Sequence, residues 1–295
     1  MREQPDRRRG LWIGYTLLGV FGLIAIAGGL ITATRPPSPW IALASTVAAL
    51  ALMGALVVGY ALRGLRSAQY YLDRNGLTIT WWPAVHVIPI HAIRELRPGP
   101  ASRKAIQRWR GMRWPGLYAG HAWAVEENRP VLFFATEDLP RQLWVITEAA
   151  IYAISPLHPQ RFLEAFAERA AMGPTQRLPQ TTLFPGWRQR ALWEDRWAWS
   201  LMLIGGIAMW GMWLWFCGQF PRLPPWVQIT ESAETLFSPA AHLTRLPLLG
   251  ALTWIVNAAL GSMLHERERP AAYGLWLVGL LVQILLFGAL LQIPR

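Results

Sequence analysis

Five apolar stretches, each near the 20 or so residues that a helix needs to cross a hydrocarbon layer of roughly 30 Å, limit this chain more than any other feature. They run from Leu11 to Thr34, Trp40 to Leu62, Trp197 to Cys217, Leu246 to Leu264 and Ala271 to Leu291, and none holds a Lys, Arg, Asp or Glu. A charge at the centre of a span opposes insertion by roughly 2.5–3.5 kcal/mol, so its absence from all five is informative. The chain is 53% hydrophobic and 15% charged, too apolar a balance for an ordinary soluble domain of 295 residues. Arg7, Arg8 and Arg9 ahead of the first stretch would also suit a signal peptide. A signal's apolar core is only about 7–15 residues long, however, so the stretch reads as a retained span.

The net charge of +11 comes almost wholly from arginine, with Lys104 the only lysine, and its placement follows the positive-inside rule. Arg2, Arg7, Arg8 and Arg9 precede the first span and Arg63 and Arg66 follow the second, whereas the loop between the spans holds only Arg35. Arg188, Arg190 and Arg196 lie ahead of the third span, and Arg267 and Arg269 lie between the fourth and fifth. The expected topology therefore has a cytoplasmic N-terminus and an external C-terminus. The single cysteine, Cys217, excludes an internal disulfide.

Between the second and third spans lie roughly 130 residues, enough for one small domain. Tyr70–Arg74, Asn75-Gly76 and Leu77–Trp82 read as a hairpin, with Asn-Gly supplying the two positive φ angles of a type I′ turn. Leu77, Ile79 and Trp81 alternate with Thr78, Thr80 and Trp82, which gives one face that can be buried. Val85–Ile93 is a further strand in which Pro89 marks an edge or a bend. Ala122–Val125, Val131–Ala135, Leu143–Thr147 and Ile151–Ile154 bring the count to about seven. Pro159 then opens a helix with Phe162, Leu163, Phe166 and Ala170 at helical spacing. The divisions that follow are 1–66 for the tail and first two helices, 67–172 for the domain, 173–196 for a linker containing Pro174, Pro179 and Pro185, and 197–295 for the last three helices.

Four groups of residues carry the resemblance of this domain to a known family. They are Ile88-Pro89-Ile90-His91-Ala92-Ile93, Trp114-Pro115-Gly116-Leu117-Tyr118-Ala119-Gly120, Ala135-Thr136, and Tyr152-Ala153-Ile154-Ser155-Pro156 followed by Pro159 and Phe162-Leu163. From Tyr70 to Met172 the segment resembles the bacterial pleckstrin-homology-like (PH-like) domains of multi-pass membrane proteins. The stretch from Leu246 through Asn257-Ala258-Ala259-Leu260-Gly261 to Tyr273 also looks like the membrane half of some of them. The resemblance implies a bent antiparallel sandwich with a helix plugging one end, and a non-catalytic role in binding lipids or proteins. One departure is Glu127-Asn128-Arg129-Pro130, where such domains more often place a glycine-containing turn.

The candidate binding residues are Arg103, Lys104, Arg108, Arg110 and Arg113, interleaved with Trp109 and Trp114. Each basic residue near an anionic surface contributes about 1 kcal/mol, and indoles favour the interface; the alternative reading is a solvated cytoplasmic loop. Gly250, Thr253, Asn257 and Gly261 share one face of the fourth span, and Gln283 lies on the fifth. Small residues and buried amides of this kind point to helix packing ahead of a substrate pathway. His86 and His91, five residues apart with no Cys or carboxylate cluster, do not make a metal site. His265 lacks the second histidine of the zinc-protease helix, and Ser262 lacks the glycine of a nucleophile elbow.

The expected fold class is thus an α+β membrane protein, with about five transmembrane helices and an inserted cytoplasmic PH-like β-sandwich capped by a C-terminal helix. The expected role is non-enzymatic, a scaffold or sensor in the bacterial inner (plasma) membrane; the alternative is an accessory or transport-related subunit of a larger membrane complex. Membrane lipids and a membrane-protein partner are expected. Nucleic acid, metal and cofactor are not.

Overall fold

The computed structural model describes residues 1–176, 178–184, 191–231 and 234–292. Five of its helices are long and apolar enough to cross a membrane. They are α1 (Arg8–Thr34), α2 (Pro39–Ser67), α4 (Arg196–Gln219), α5 (Arg245–Leu264) and α6 (Arg269–Leu291). A shorter amphipathic helix, α3 (Pro159–Met172), closes the middle region. The chain divides into two compact units, Met1–Gly22 with Leu52–Pro185 and Leu23–Ala51 with Gly186–Arg295, and two of the three boundaries fall inside α1 and α2.

The first unit holds two sheets. In chain order the strands are β1 (Arg2–Glu3), β2 (Gln69–Leu72), β3 (Gly76–Trp81), β4 (Ala84–Pro89), β5 (Ile93–Pro98), β6 (Ile106–Trp114), β7 (Leu117–Ala124), β8 (Arg129–Ala135), β9 (Leu143–Thr147), β10 (Ile151–Ile154) and β11 (Thr181–Leu183). The first sheet has the order β1-β2-β3-β4-β11 and the second β5-β9-β10-β8-β7-β6. All pairings are antiparallel except β8 with β10, which run parallel. The expected all-antiparallel sandwich is corrected in that respect: β9 is hairpinned to β10, so β10 returns alongside β8 in the same direction.

Period-2 alternation explains the core. Leu77, Ile79 and Trp81 of β3 are buried as their spacing predicts; Leu77 and Ile79 join Tyr70, Leu72 and Ile88 of the same sheet in a core with Val145, Tyr152 and Ile154 of the other, while Trp81 packs with Ala61, Leu65 and Leu117. The opposite face of the second sheet is covered as well, by a cluster that includes Val131, Phe133, Trp144, Ile151 and Ala153. Strands buried on both faces carry no polar alternation, which is why β9 and β10 read as unbroken apolar runs. The Tyr70 hydroxyl donates to the Phe134 carbonyl and accepts the Ser155 N–H, joining the two sheets inside the core. Burial pushes its pKa up to about 12.

The helix α3 begins with Pro159 at its first turn, plugs the sandwich with the fully buried Phe162, and ends at Gly173, whose φ of +70° a side chain would resist. Ala170, expected on the same face as Phe162, is exposed.

Two further expectations are corrected, the geometry of the first turn and the number of strands. Asn75 and Gly76 do not take positive φ angles. The Asp73 carboxylate instead accepts the N–H groups of Asn75 and Gly76, both at 2.8 Å, so a side-chain cap shapes the turn that type I′ geometry was expected to shape. The strand count between residues 69 and 154 is nine, because β5 and β6 add to the expected seven. Pro89 ends β4 in a bend, followed by a single 3-10 turn into β5. At Glu127-Asn128-Arg129-Pro130 the turn is made without glycine: Asn128 takes φ +51°, a conformation asparagine tolerates, and the register runs on from Ala124↔Arg129.

The second unit is built on α4, α5 and α6, which pack on one another, and on a two-stranded hairpin of β12 (Trp226–Glu231) and β13 (Glu234–Pro239). Its hydrophobic cluster includes Met212, Phe216, Val227, Leu243 and Leu290. Trp213, inside α4, donates to the Ser45 hydroxyl at 2.9 Å.

Candidate functional site

The basic cluster lies on a strand, which corrects the loop alternative for most of it. β6 forms the outer edge of the second sheet and carries Arg108, Trp109, Arg110, Arg113 and Trp114; Arg103 and Lys104 lie in the 3-10 turn just before it. The strand escapes period-2 reading because of a bulge. Gln107 pairs with Trp123 and Arg110 with His121, so Arg108 and Trp109 together face the single residue Ala122. Arg108 takes φ +54°, a conformation that costs a residue with a side chain roughly 1–2 kcal/mol. The half-buried residues Ile106, Trp109, Met112 and Trp114 are therefore spaced by three, three and two.

The charged and aromatic members of the cluster separate. Arg103, Lys104, Arg108, Arg110 and Arg113 are exposed. A bulged edge bearing such charges resists unwanted strand addition, and this structural role stands beside any binding role. Trp109 packs inward on Phe133, with ring centroids 4.6 Å apart, and the Arg113 guanidinium sits 5.7 Å from the Trp109 ring.

Trp114 faces α1, its indole N–H donating to the Gly10 carbonyl at 3.3 Å, and packs in a cluster with Ala61, Leu65, Trp81 and Leu117. The turn after β6 is pressed against the first turn of α1. A side chain at Gly10 would lie 2.1 Å from the Gly116 carbonyl oxygen, and Gly116 itself has φ +89°. The β3–β4 turn seats on the end of α2 in a similar way: the Trp82 N–H donates to the Ser67 hydroxyl at 2.7 Å, and the Arg63 guanidinium lies 4.6 Å from the Trp82 ring. Two hairpin turns thus clamp the sandwich to adjoining helix ends.

Beside the first clamp opens a cavity of about 370 Å³, lined by Arg9, Arg103 and Arg113 together with Asp6, Glu137 and Asp138. At its wall the buried Tyr118 donates its hydroxyl to Asp138. Burial and this bond raise the Tyr118 pKa, against the opposing pull of Arg103 and Arg113.

Residues 68–170 match the bacterial PH domain family. The match covers about a third of the chain, runs from the start of β2 into the last turn of α3, and agrees with the resemblance carried by the motif residues. It does not extend to the stretch from Leu246 to Tyr273. The chain has no match among the curated proteins or the solved structures. The PH domain accordingly includes the whole basic strand and the cavity wall, while Asp6 and Arg9 come from the preceding segment.

In the second unit, the helix residues singled out by spacing divide. The Gln283 amide donates to the Gly250 carbonyl at 2.6 Å, and side chains at Gly261 and Gly279 would meet Trp276 at 2.3 Å and Asn257 at 3.0 Å. These three contacts lie between α5 and α6. Thr253 instead bonds back to Leu249 of its own helix at 2.8 Å. Replacing Gln283 with leucine is expected to lower the stability of the detergent-solubilised chain by about 1 kcal/mol, within the range for hydrogen bonds between membrane helices, and a thermal midpoint at or above that of the parent would count against this bond.

One constellation was not foreseen. Asp195, capping α4 through the N–H groups of Trp197 and Ala198, also accepts from His265 Nε2 at 2.8 Å and from the Tyr273 hydroxyl at 2.5 Å. The bonds from Tyr273 and His265 hold the Asp195 carboxyl down to about 2, so it is ionised at neutral pH. His265 is fully buried and lies against Trp276. The ends of three helices meet at one carboxylate, whose partners stand 70 and 78 residues away, a separation that no local pattern reveals. Ser262 bonds back to Ala258 of its own helix at 2.7 Å. Among the described residues no group of three or more His, Cys, Asp or Glu side chains is placed to hold a metal ion.

Proposed function

We propose that this chain is a non-enzymatic, multi-pass protein of a bacterial inner membrane whose PH domain engages a lipid or protein partner at the cytoplasmic face, as a scaffold or sensor. The observation that carries this reading is the double clamp. Trp114 and Gly116 on α1, and Trp82 on α2, hold the domain in one orientation against two apolar helices instead of leaving it on a flexible tether. A domain held so presents a fixed face, which reduces the ordering cost of engaging a partner. The exposed edge of β6, with Arg108 and Arg110, is the face we assign to contact. The positive-inside distribution of arginine supports the cytoplasmic placement.

A photo-crosslinking residue at Arg110, with a second at the exposed Arg161 on α3 as control, tests this in native membranes. The expected result is one discrete lipid or protein adduct at position 110 and none at 161. Equal labelling at the two positions, or none at either, would refute it. The alternative, an accessory subunit of a larger membrane complex, draws support from α1, in which only Gly10 and Gly14 are buried and most of the apolar surface is left to lipid or to neighbouring helices.

A further inference from the structure

We propose that the cavity beside the first turn of α1 binds a phosphate ester carrying a primary ammonium, the chemistry of a phosphoethanolamine headgroup. The proposal rests on the reading that α1 crosses the bilayer, which places Arg9 and the cavity at headgroup depth. It does not depend on what the β6 edge contacts.

The cavity has an unusual balance of charge. Three guanidiniums and three carboxylates line it, yet among the described residues no ion pair within 4 Å joins Arg9, Arg103 or Arg113 to Asp6, Glu137 or Asp138. The one such bridge from these carboxylates is the 3.7 Å contact of Glu137 with Arg141, outside the cavity lining. Opposite charges are therefore held around a common space without neutralising one another. Tyr118 stands between them, bonded to Asp138 on one side and within the electrostatic reach of Arg103 and Arg113 on the other.

A simple anion entering this space would be drawn to the arginines and repelled by three carboxylates; a simple cation would meet the reverse. A ligand carrying both charges satisfies both sets, the phosphate taking guanidinium N–H donors and the ammonium giving its three donors to carboxylate oxygens. A volume of about 370 Å³ lies within the range of small-molecule sites, roughly 300–1,000 Å³, and Trp114 at the wall has the amphipathic character favoured at the membrane interface. The quaternary ammonium of phosphocholine has no N–H to donate, and phosphoglycerol has no cation, so the same charges predict discrimination among common headgroups.

The test is titration of the purified full chain in mild detergent, followed by native mass spectrometry, with phosphatidylethanolamine, phosphatidylglycerol and phosphatidylcholine of identical short acyl chains. The expected result is at least a fivefold preference for phosphatidylethanolamine, lost in the paired variant Arg103→Gln with Arg113→Gln. In Glu137→Gln with Asp138→Asn the preference moves to phosphatidylglycerol. Arg9→Gln, outside the PH domain, gives an independent loss should the paired variants fold poorly. Free phosphoethanolamine binding as tightly as the lipid would assign the site to a soluble ligand, and binding of the lipid alone would assign it to the membrane. Equal binding of the three lipids, or a preference untouched by all these substitutions, would overturn the proposal. Crosslinking at position 110 reports on the edge strand alone, so the two readings fail separately.

Discussion

Replacing Gly10 with leucine is expected to unseat the turn after β6 from α1 and to destabilise the first unit by about 3 kcal/mol or more. A Cβ at Gly10 would stand 2.1 Å from the Gly116 carbonyl oxygen and 2.9 Å from Leu65 Cδ2, and the first obstacle is backbone, which cannot rotate out of the way. Forcing extra atoms into a packed contact usually costs about 1–3 kcal/mol. Here the separation also breaks the Trp114 bond to the Gly10 carbonyl, worth on the order of 1 kcal/mol. Gly19 is the natural control, because a side chain there meets nothing within 4 Å on the same helix. Hydrogen exchange of the detergent-solubilised chain should show faster exchange over residues 112–120 in Gly10→Leu and no change in Gly19→Leu. Equal exchange in the two variants would mean that the turn and α1 are not joined as described.

The second large effect concerns His86. It is 6% exposed, lies against Phe134 with ring centroids 4.6 Å apart, and shares a 2.9 Å hydrogen bond with Thr182 of β11. Burial lowers its pKa to about 4 from the model-compound 6.5. The unfolded chain therefore takes up a proton at His86 at higher pH than the folded chain does. The stabilisation is whole above pH 6.5, declines as the pH falls below that value, and is fully lost once the pH drops past about 4. Between pH 7 and pH 5 the expected loss is about 2 kcal/mol, since each unit of pKa difference corresponds to roughly 1.4 kcal/mol. His86→Gln keeps a hydrogen-bonding group and does not titrate, so its stability should vary less over that interval. The measure is protection of the β3 and β4 amides from hydrogen exchange, and a slope with pH as steep in the variant as in the parent would remove His86 as the cause.

The parts of the fold that were legible in the sequence share one property: each is a pattern that repeats within about 20 residues. The five apolar helices, the buried face of Leu77, Ile79 and Trp81, and the start of α3 at Pro159 all belong to this class. The strand β6 fell outside it, because one extra residue at Arg108 and Trp109 shifts the alternation midway and the arginines hide what remains. The turn at Asn75-Gly76 was placed correctly and given the wrong geometry. The dipeptide permits positive φ but does not require it, and the Asp73 carboxylate settles the matter by bonding both N–H groups.

Of the candidate site, composition announced the arginines and nothing more. The separation of the half-buried Trp109 and Trp114 from the exposed Arg103, Lys104, Arg108 and Arg110, and the meeting of Arg103 and Arg113 with Arg9, depend on contacts across about 100 residues of chain. The same holds at Asp195, His265 and Tyr273. The sequence by itself determined the elements, because the preference of apolar side chains for lipid or a core, and the constraint of proline on φ, act locally. Only the tertiary structure decided which charges face one another and which helix ends are clamped, because those outcomes depend on the register between strands and on backbone approaches such as that of Gly10 to Gly116.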